Sequence, residues 1–132
     1  MPEAAPTLDD PCPCGSALPY AGCCGRWHAG PQPAPDAEAL MRSRYSAYVR
    51  GLHGYLLATW AAETRPAAID PDPPGLKWLG LEVRRRRTID ADHAEGECGA
   101  GSRRGGRARG LREPSRFERR DGRWVYVDGT LR

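Results

Sequence analysis

The sequence predicts an α+β fold with a small metal knuckle in front of it, and three stretches carry that prediction. Cys12-Pro13-Cys14 and Cys23-Cys24 gather four of the five cysteines into thirteen positions. Residues 36 to 62 repeat apolar side chains near the helical period. Residues 115 to 128 alternate around an Asp-Gly pair, as a hairpin does.

Four sulfurs this close in sequence are held together by a cation that neutralises them, so the cluster reads as a metal site. An all-thiolate shell is closed and tetrahedral. It suits structural zinc, which holds the segment folded and leaves no open position for chemistry. The expected ligands are Cys12, Cys14, Cys23 and Cys24, with His28 as the alternative fourth; ligand softness favours Cys24. Gly15 suits a tight turn that aims N–H groups back at the sulfurs. Disulfides are the competing reading. An odd cysteine count and an N-terminus without a charged-then-apolar leader oppose them, and predict a reduced, cytoplasmic chain. Cys98, set among glycines with no base beside it, reads as an incidental thiol.

Each remaining element follows from its own signals. Residues 1 to 11 read as a loose tail, and Gly30 to Pro35 as a Pro-rich linker that ends the knuckle. Asp36 is the predicted N-cap of a helix with Leu40, Met41, Tyr45, Tyr48 and Val49 on its core side and Gly51 as its stop. A second helix is predicted from His53 to about Ala62, ending before Pro66. Residues 66 to 75 hold four prolines and form no regular element. Leu76 to Val83 reads as a strand. Asp121-Gly122 turns a hairpin between Ser115–Arg120 and the strand of Trp124 to Asp128. Residues 97 to 114 break the pattern: they are glycine- and arginine-rich, lack any β-branched side chain and end in Pro114, which argues against a central strand. Either a divergent loop leaves the sheet a strand short, or a compensated frame slip has replaced a normal strand. Resumption of ordinary sequence at Ser115 favours the second.

The run from Cys12 through Tyr20 to Cys24 resembles the SEC-C motif, the zinc module of the SecA translocase tail. Ala37 to Val49, Tyr55 to Trp60, Ser115 to Arg119 and Asp121 to Gly129 resemble the YchJ family of bacterial proteins. That resemblance implies a nuclear transport factor 2-like domain over residues 36 to 132, a curved antiparallel sheet wrapped around helices as a cystatin-like cone. The zinc module would occupy residues 12 to 30 and the linker residues 31 to 35. It also implies that the module docks another protein or a ribosome-associated surface, with Gly15, Ser16, Tyr20 and Arg26 exposed around the metal and Arg42 and Arg44 extending the surface. With the module independent of the domain, Cys14→Ser is expected to unfold the first 30 residues and leave the domain's melting unchanged.

Other functions have weaker support. Tyr45, His53, Trp60 and Asp128 would line a cone pocket for a small molecule or an enzymatic reaction, although aromatics in so small a domain are more often core. No catalytic constellation stands out. Arg84 to Arg87, Arg103, Arg104, Arg107, Arg109 and Arg112 form a belt that would bind RNA if its members converged. The formal charge of +3 falls to about +1 with four thiolates and one Zn²⁺, which gives no general attraction for nucleic acid. No apolar run is long enough to span a bilayer.

Overall fold

Asp36 opens the longest helix. Its Oδ1 accepts a hydrogen bond from the Ala39 amide at 2.7 Å, the arrangement of an N-cap. The helix stops at Gly51, whose φ of 71° is the left-handed conformation that glycine adopts without strain. A computed structural model describes residues 11–29, 33–69, 76–104 and 106–129 of the chain. Tyr20–Gly22 form a 3-10 turn, followed by helices α1 (Cys24–Ala29), α2 (Ala37–Arg50) and α3 (His53–Ala58). Four strands come after them: β1 (Lys77–Asp90), β2 (His93–Arg104), β3 (Arg107–Arg120) and β4 (Arg123–Gly129). Residues 1 to 10 of the tail, residues 30 to 32 at the linker and residues 70 to 75 lie outside the described residues.

The strands form one antiparallel meander in the order β1-β2-β3-β4. Its last turn is the predicted one, with Asp121 and Gly122 both at positive φ, 52° and 77°. β1 is longer than its apolar run suggests, and its pairing with β2 shifts register between Trp78 and Gly80, Val83 and Arg85, and Thr88 and Asp90. Such bulges bend a strand and increase its twist. α3 ends before Ala62 because the chain leaves it to join the sheet. Thr59 O and the Ala61 amide both bond to Tyr126, making Trp60 a parallel bridge beside β4.

Residues 97 to 114 overturn the expectation of a missing strand. β2 and β3 pair without a break from His93↔Glu118 to Arg104↔Arg107, and the hairpin turns with Gly106 at a φ of 80°. A ladder is built from backbone N–H and C=O groups, and β2, with β1 on one side and β3 on the other, is paired along both edges. Pro114 is tolerated because it lies beyond the end of β4, whose final pair is Ser115↔Gly129. Among the described residues it pairs with β2 alone, at Glu97. The strand that the sheet needs is present in the sequence as it stands.

α2 lies across this sheet and joins everything else to it. Leu40 and Met41 pack with Ala34 and Phe117, supported by Val83, Cys98, Trp124 and Tyr126. Gly96 is a place of close approach: a Cβ there would sit 2.8 Å from the Met41 thioether. Val49, expected on the core stripe, is instead 37% exposed, while Ser43 and Ser46 are fully buried. The helix is covered on a second side, by the cysteine segment, and this moves its buried arc away from a simple apolar stripe. Among the described residues, no helix is long and apolar enough to cross a membrane.

Candidate metal centre

Cys12 and Cys14 come from an extended loop, Cys23 from the end of the 3-10 turn and Cys24 from the first position of α1. The loop is closed by two backbone bonds, Cys12 N to Leu18 O at 2.9 Å and Gly15 N to Cys12 O at 3.2 Å. Gly15 has a φ of 83°, so the predicted turn is there, but its amide bonds a carbonyl and not a sulfur. The four cysteines are buried and unbridged, and their sulfurs all lie within 4.8 Å of one another. Cys14 and Cys23 are 3.6 Å apart at sulfur. A tetrahedron with Zn–S bonds of about 2.3 Å has S–S edges of about 3.8 Å, so this donor set fits a thiophilic cation. The four cysteines can hold a metal ion.

Polar groups surround the sulfurs. Ser16 Oγ lies 3.1 Å from Cys23 Sγ and Ser46 Oγ 3.5 Å from Cys12 Sγ. Crowding separates their titrations. Contact with Cys14, and then with Cys24, pulls the Cys12 thiol down, whereas bonding to Cys12 and then Cys14 pushes Cys24 up. Burial raises Cys23. Sulfurs that must share protons to stay packed together gain most from a dication, which removes the repulsion outright.

His28 faces away from the cluster and is fully engaged. Its Nε2–H donates to Ser43 O at 2.8 Å, which leaves Nδ1 as the acceptor for the Tyr20 hydroxyl. Burial lowers its pKa and favours this neutral tautomer. Tyr20 was expected at the surface and is instead 4% exposed, beneath the Arg50 guanidinium at 3.9 Å. Arg44 is likewise buried, under Trp60 and Tyr126. Arg42 is half-buried and donates to Cys14 O at 3.0 Å. Arg26 and Gly15 remain exposed, and Ser16 partly so.

Gly25 carries a constraint that spacing alone does not reveal. A Cβ there would lie 2.7 Å from the Tyr20 carbonyl oxygen and 3.0 Å from its ring. Backbone on one side and a buried ring on the other leave no room to give. Gly25→Ala is expected to cost about 1–3 kcal/mol, read as a fall in thermal midpoint together with weaker metal retention. An unchanged midpoint would mean that the 3-10 turn and α1 separate freely.

Comparison with known proteins agrees with this arrangement. The profile of the SEC-C motif matches residues 10–26, and that of the YchJ middle NTF2-like domain matches residues 36–129. The chain belongs to the YchJ family. A UPF0225 protein of Methylibium petroleiphilum is 59% identical over 121 residues, covering 92% of this chain and 88% of that protein. One from Streptomyces coelicolor is 53% identical over 122 residues, covering 92% and 95%. The solution structure of a SEC-C motif containing protein from Rhodopseudomonas palustris superposes with a TM-score of 0.80 at 33% identity, covering 92% of this chain and 98% of that one. The crystal structure of a SEC-C motif containing protein from Psychrobacter arcticus gives 0.78 at 25% identity, covering 95% and 84%. In this YchJ-family chain the motif and the NTF2-like domain share contacts. Leu81 of β1 packs on the buried cysteines, and Ser43, Arg42 and Ser46 of α2 bond the module.

The other anticipated site residues are engaged separately. Tyr45 stands edge-on to Trp78 at 5.7 Å, Trp60 stands edge-on to Tyr126 at 5.1 Å, and His53 begins α3. Asp128 pairs with Arg116, which lowers its pKa. None of the four lines the cavity of about 340 Å³ that lies between α1, α3 and β4. In the arginine belt, Arg85 lies 3.9 Å from Glu97 and Arg86 pairs with Glu38. Nearby Arg116, Arg119 and Arg120 also hold carboxylates. The side chains of Arg84, Arg107, Arg109 and Arg112 lie outside the described residues.

Proposed function

We propose that this chain is a zinc-binding interaction protein of the reducing cytoplasm, docking another protein or a ribosome-associated surface through its cysteine module. The observation that carries the reading is the closed set of four buried sulfurs, whose chemistry suits a structural ion and leaves no vacant position for a reaction. What such an ion holds in place is the loop from Gly15 to Gly22. Its tip presents Ala17, Leu18 and Pro19 to solvent, with Leu18 50% exposed. An apolar side chain held out on a rigid turn beside exposed Arg26 has the character of an interface anchor. RNA binding has less support, because five arginines of the sheet already face carboxylates.

Elemental analysis is expected to find about one zinc per chain in the native protein and none in Cys14→Ser. Partner capture from lysate then compares the native chain, Cys14→Ser and Leu18→Asp, the last keeping all four ligands. Partners lost from both variants support docking through the module. Partners retained by both would move the interface elsewhere.

A further inference from the structure

We infer that the cavity between α1, α3 and β4 is a binding site for a small aromatic carboxylate. The cavity holds about 340 Å³, room for a two-ring molecule, and Trp27, Trp124, Tyr55 and Leu40 are among the residues that line it. Its polar neighbours are almost all committed inward. His28 uses both ring nitrogens on Tyr20 and Ser43, and the Tyr55 hydroxyl bonds Ser43 Oγ at 2.7 Å. Thr59 Oγ1 donates to Tyr55 O at 2.9 Å and accepts from Arg44 at 2.8 Å. These residues therefore offer ring faces and methyl groups to an occupant, not free donors.

Arg123 is the exception. It lines the cavity at the start of β4 and forms no ion pair with any described residue, whereas Arg119 and Arg120 on the facing strand both hold carboxylates. Among the described residues, no acidic one lines the cavity. A lining that mixes aromatic and aliphatic surface with polar groups, and that includes Arg123, suits a flat hydrocarbon body bearing a single anionic group, which the Arg123 guanidinium can grip with two parallel bonds. Recognition would come from the aromatic faces, and orientation from Arg123.

The cavity also has an unusual wall. Trp27 and His28 stand on α1, a helix of six residues that starts at Cys24. A helix that short does not persist alone in water. Its position is fixed by the cysteine cluster at one end and by the Tyr20–His28–Ser43 bonds at the other. The site is thus complete only when the cysteine module is folded; this dependence on the metal, unlike the site itself, rests on the zinc reading above.

The test titrates naphthoate into the full-length chain as purified, with its zinc content measured in the same sample and tryptophan fluorescence as the readout. Binding is expected with a Kd on the order of 0.1 mM. Naphthalenemethanol, the uncharged control, should bind about tenfold more weakly, and Arg123→Gln should weaken naphthoate about tenfold while leaving naphthalenemethanol unchanged. Ala58→Leu, which places a larger side chain in the lining from α3, should abolish both. Absence of naphthoate binding to folded, zinc-loaded protein would overturn the site and leave the zinc reading intact. So would binding that survives Ala58→Leu, since the ligand would then be elsewhere. Undiminished binding after the metal is chelated from a still-folded chain would overturn the dependence on the module.

Discussion

Removing the proposed zinc, by chelation or by Cys14→Ser, is expected to lower the melting of the whole chain in one transition. Read from sequence, the Pro-rich linker separates a module from a domain, and the module should unfold alone. The contacts say otherwise. Ser43 O receives His28, Arg42 reaches Cys14 O, Ser46 meets Cys12, Arg50 covers Tyr20 and Leu81 of β1 packs on the cysteines. Each hydrogen bond contributes about 1 kcal/mol, and the cation–π contact a similar amount. Losing the module also returns a buried face of α2 to water. A loss of about 3 kcal/mol lowers the midpoint of a chain this size by about 10 °C. Calorimetry of native and metal-free protein reads this directly. Two separate transitions, the upper one unmoved, would show that the linker is a true boundary.

The second large effect centres on Arg44. Its Nη1 donates to Leu56 O and to Thr59 Oγ1, each at 2.8 Å, and its guanidinium carbon lies 4.9 Å from the Trp60 ring and 4.7 Å from that of Tyr126. One side chain of α2 thereby binds the end of α3, the bridge segment and β4. Arg44→Ala leaves a void between two aromatic rings and removes a charged donor from a buried carbonyl. The expected loss is about 3–5 kcal/mol. Arg44→Lys keeps the charge but lacks the flat fork that stacks and donates together, and should recover less than half of the loss. Chemical denaturation of the three proteins gives the comparison. If Lys restored full stability, charge alone would matter and the stacking would be incidental.

Much of the frame was legible because single residues fix it. Asp36 and Gly51 bound α2, Asp121-Gly122 turns the last hairpin, and the Cys12 to Cys24 spacing marks the metal cluster. What stayed hidden depends on a second layer of burial. Arg44 and Tyr20 look like surface residues by type, and only tertiary partners explain why both are covered. Ser46 breaks the apolar stripe of α2 because its hydroxyl meets Cys12 of the module, and Ser43 because its hydroxyl bonds Leu40 O and the Tyr55 hydroxyl of α3. The glycine-rich strands were missed for a different reason. β-propensity measures how a side chain fits a half-buried pleat, and it is silent where the ladder itself supplies the order.

That hairpin has an uneven grip along its length. Near Gly96 and Ser115 the two strands lie under Met41 of α2, with Phe117 of β3 in the core and β4 alongside, so breaking them open means breaking the core. Towards Gly106 the same ladder continues past the end of β4, with glycines where packing residues would normally stand. Local opening should therefore cost least at the tip and rise towards the base, a zipper whose teeth tighten as they approach the helix. That freedom is confined to the turn around Gly106, because Ser102 and Ala100 of β2 pair with Trp78 and Leu81 of β1, which pack on Tyr45 and Tyr48 of α2 and on the buried cysteines.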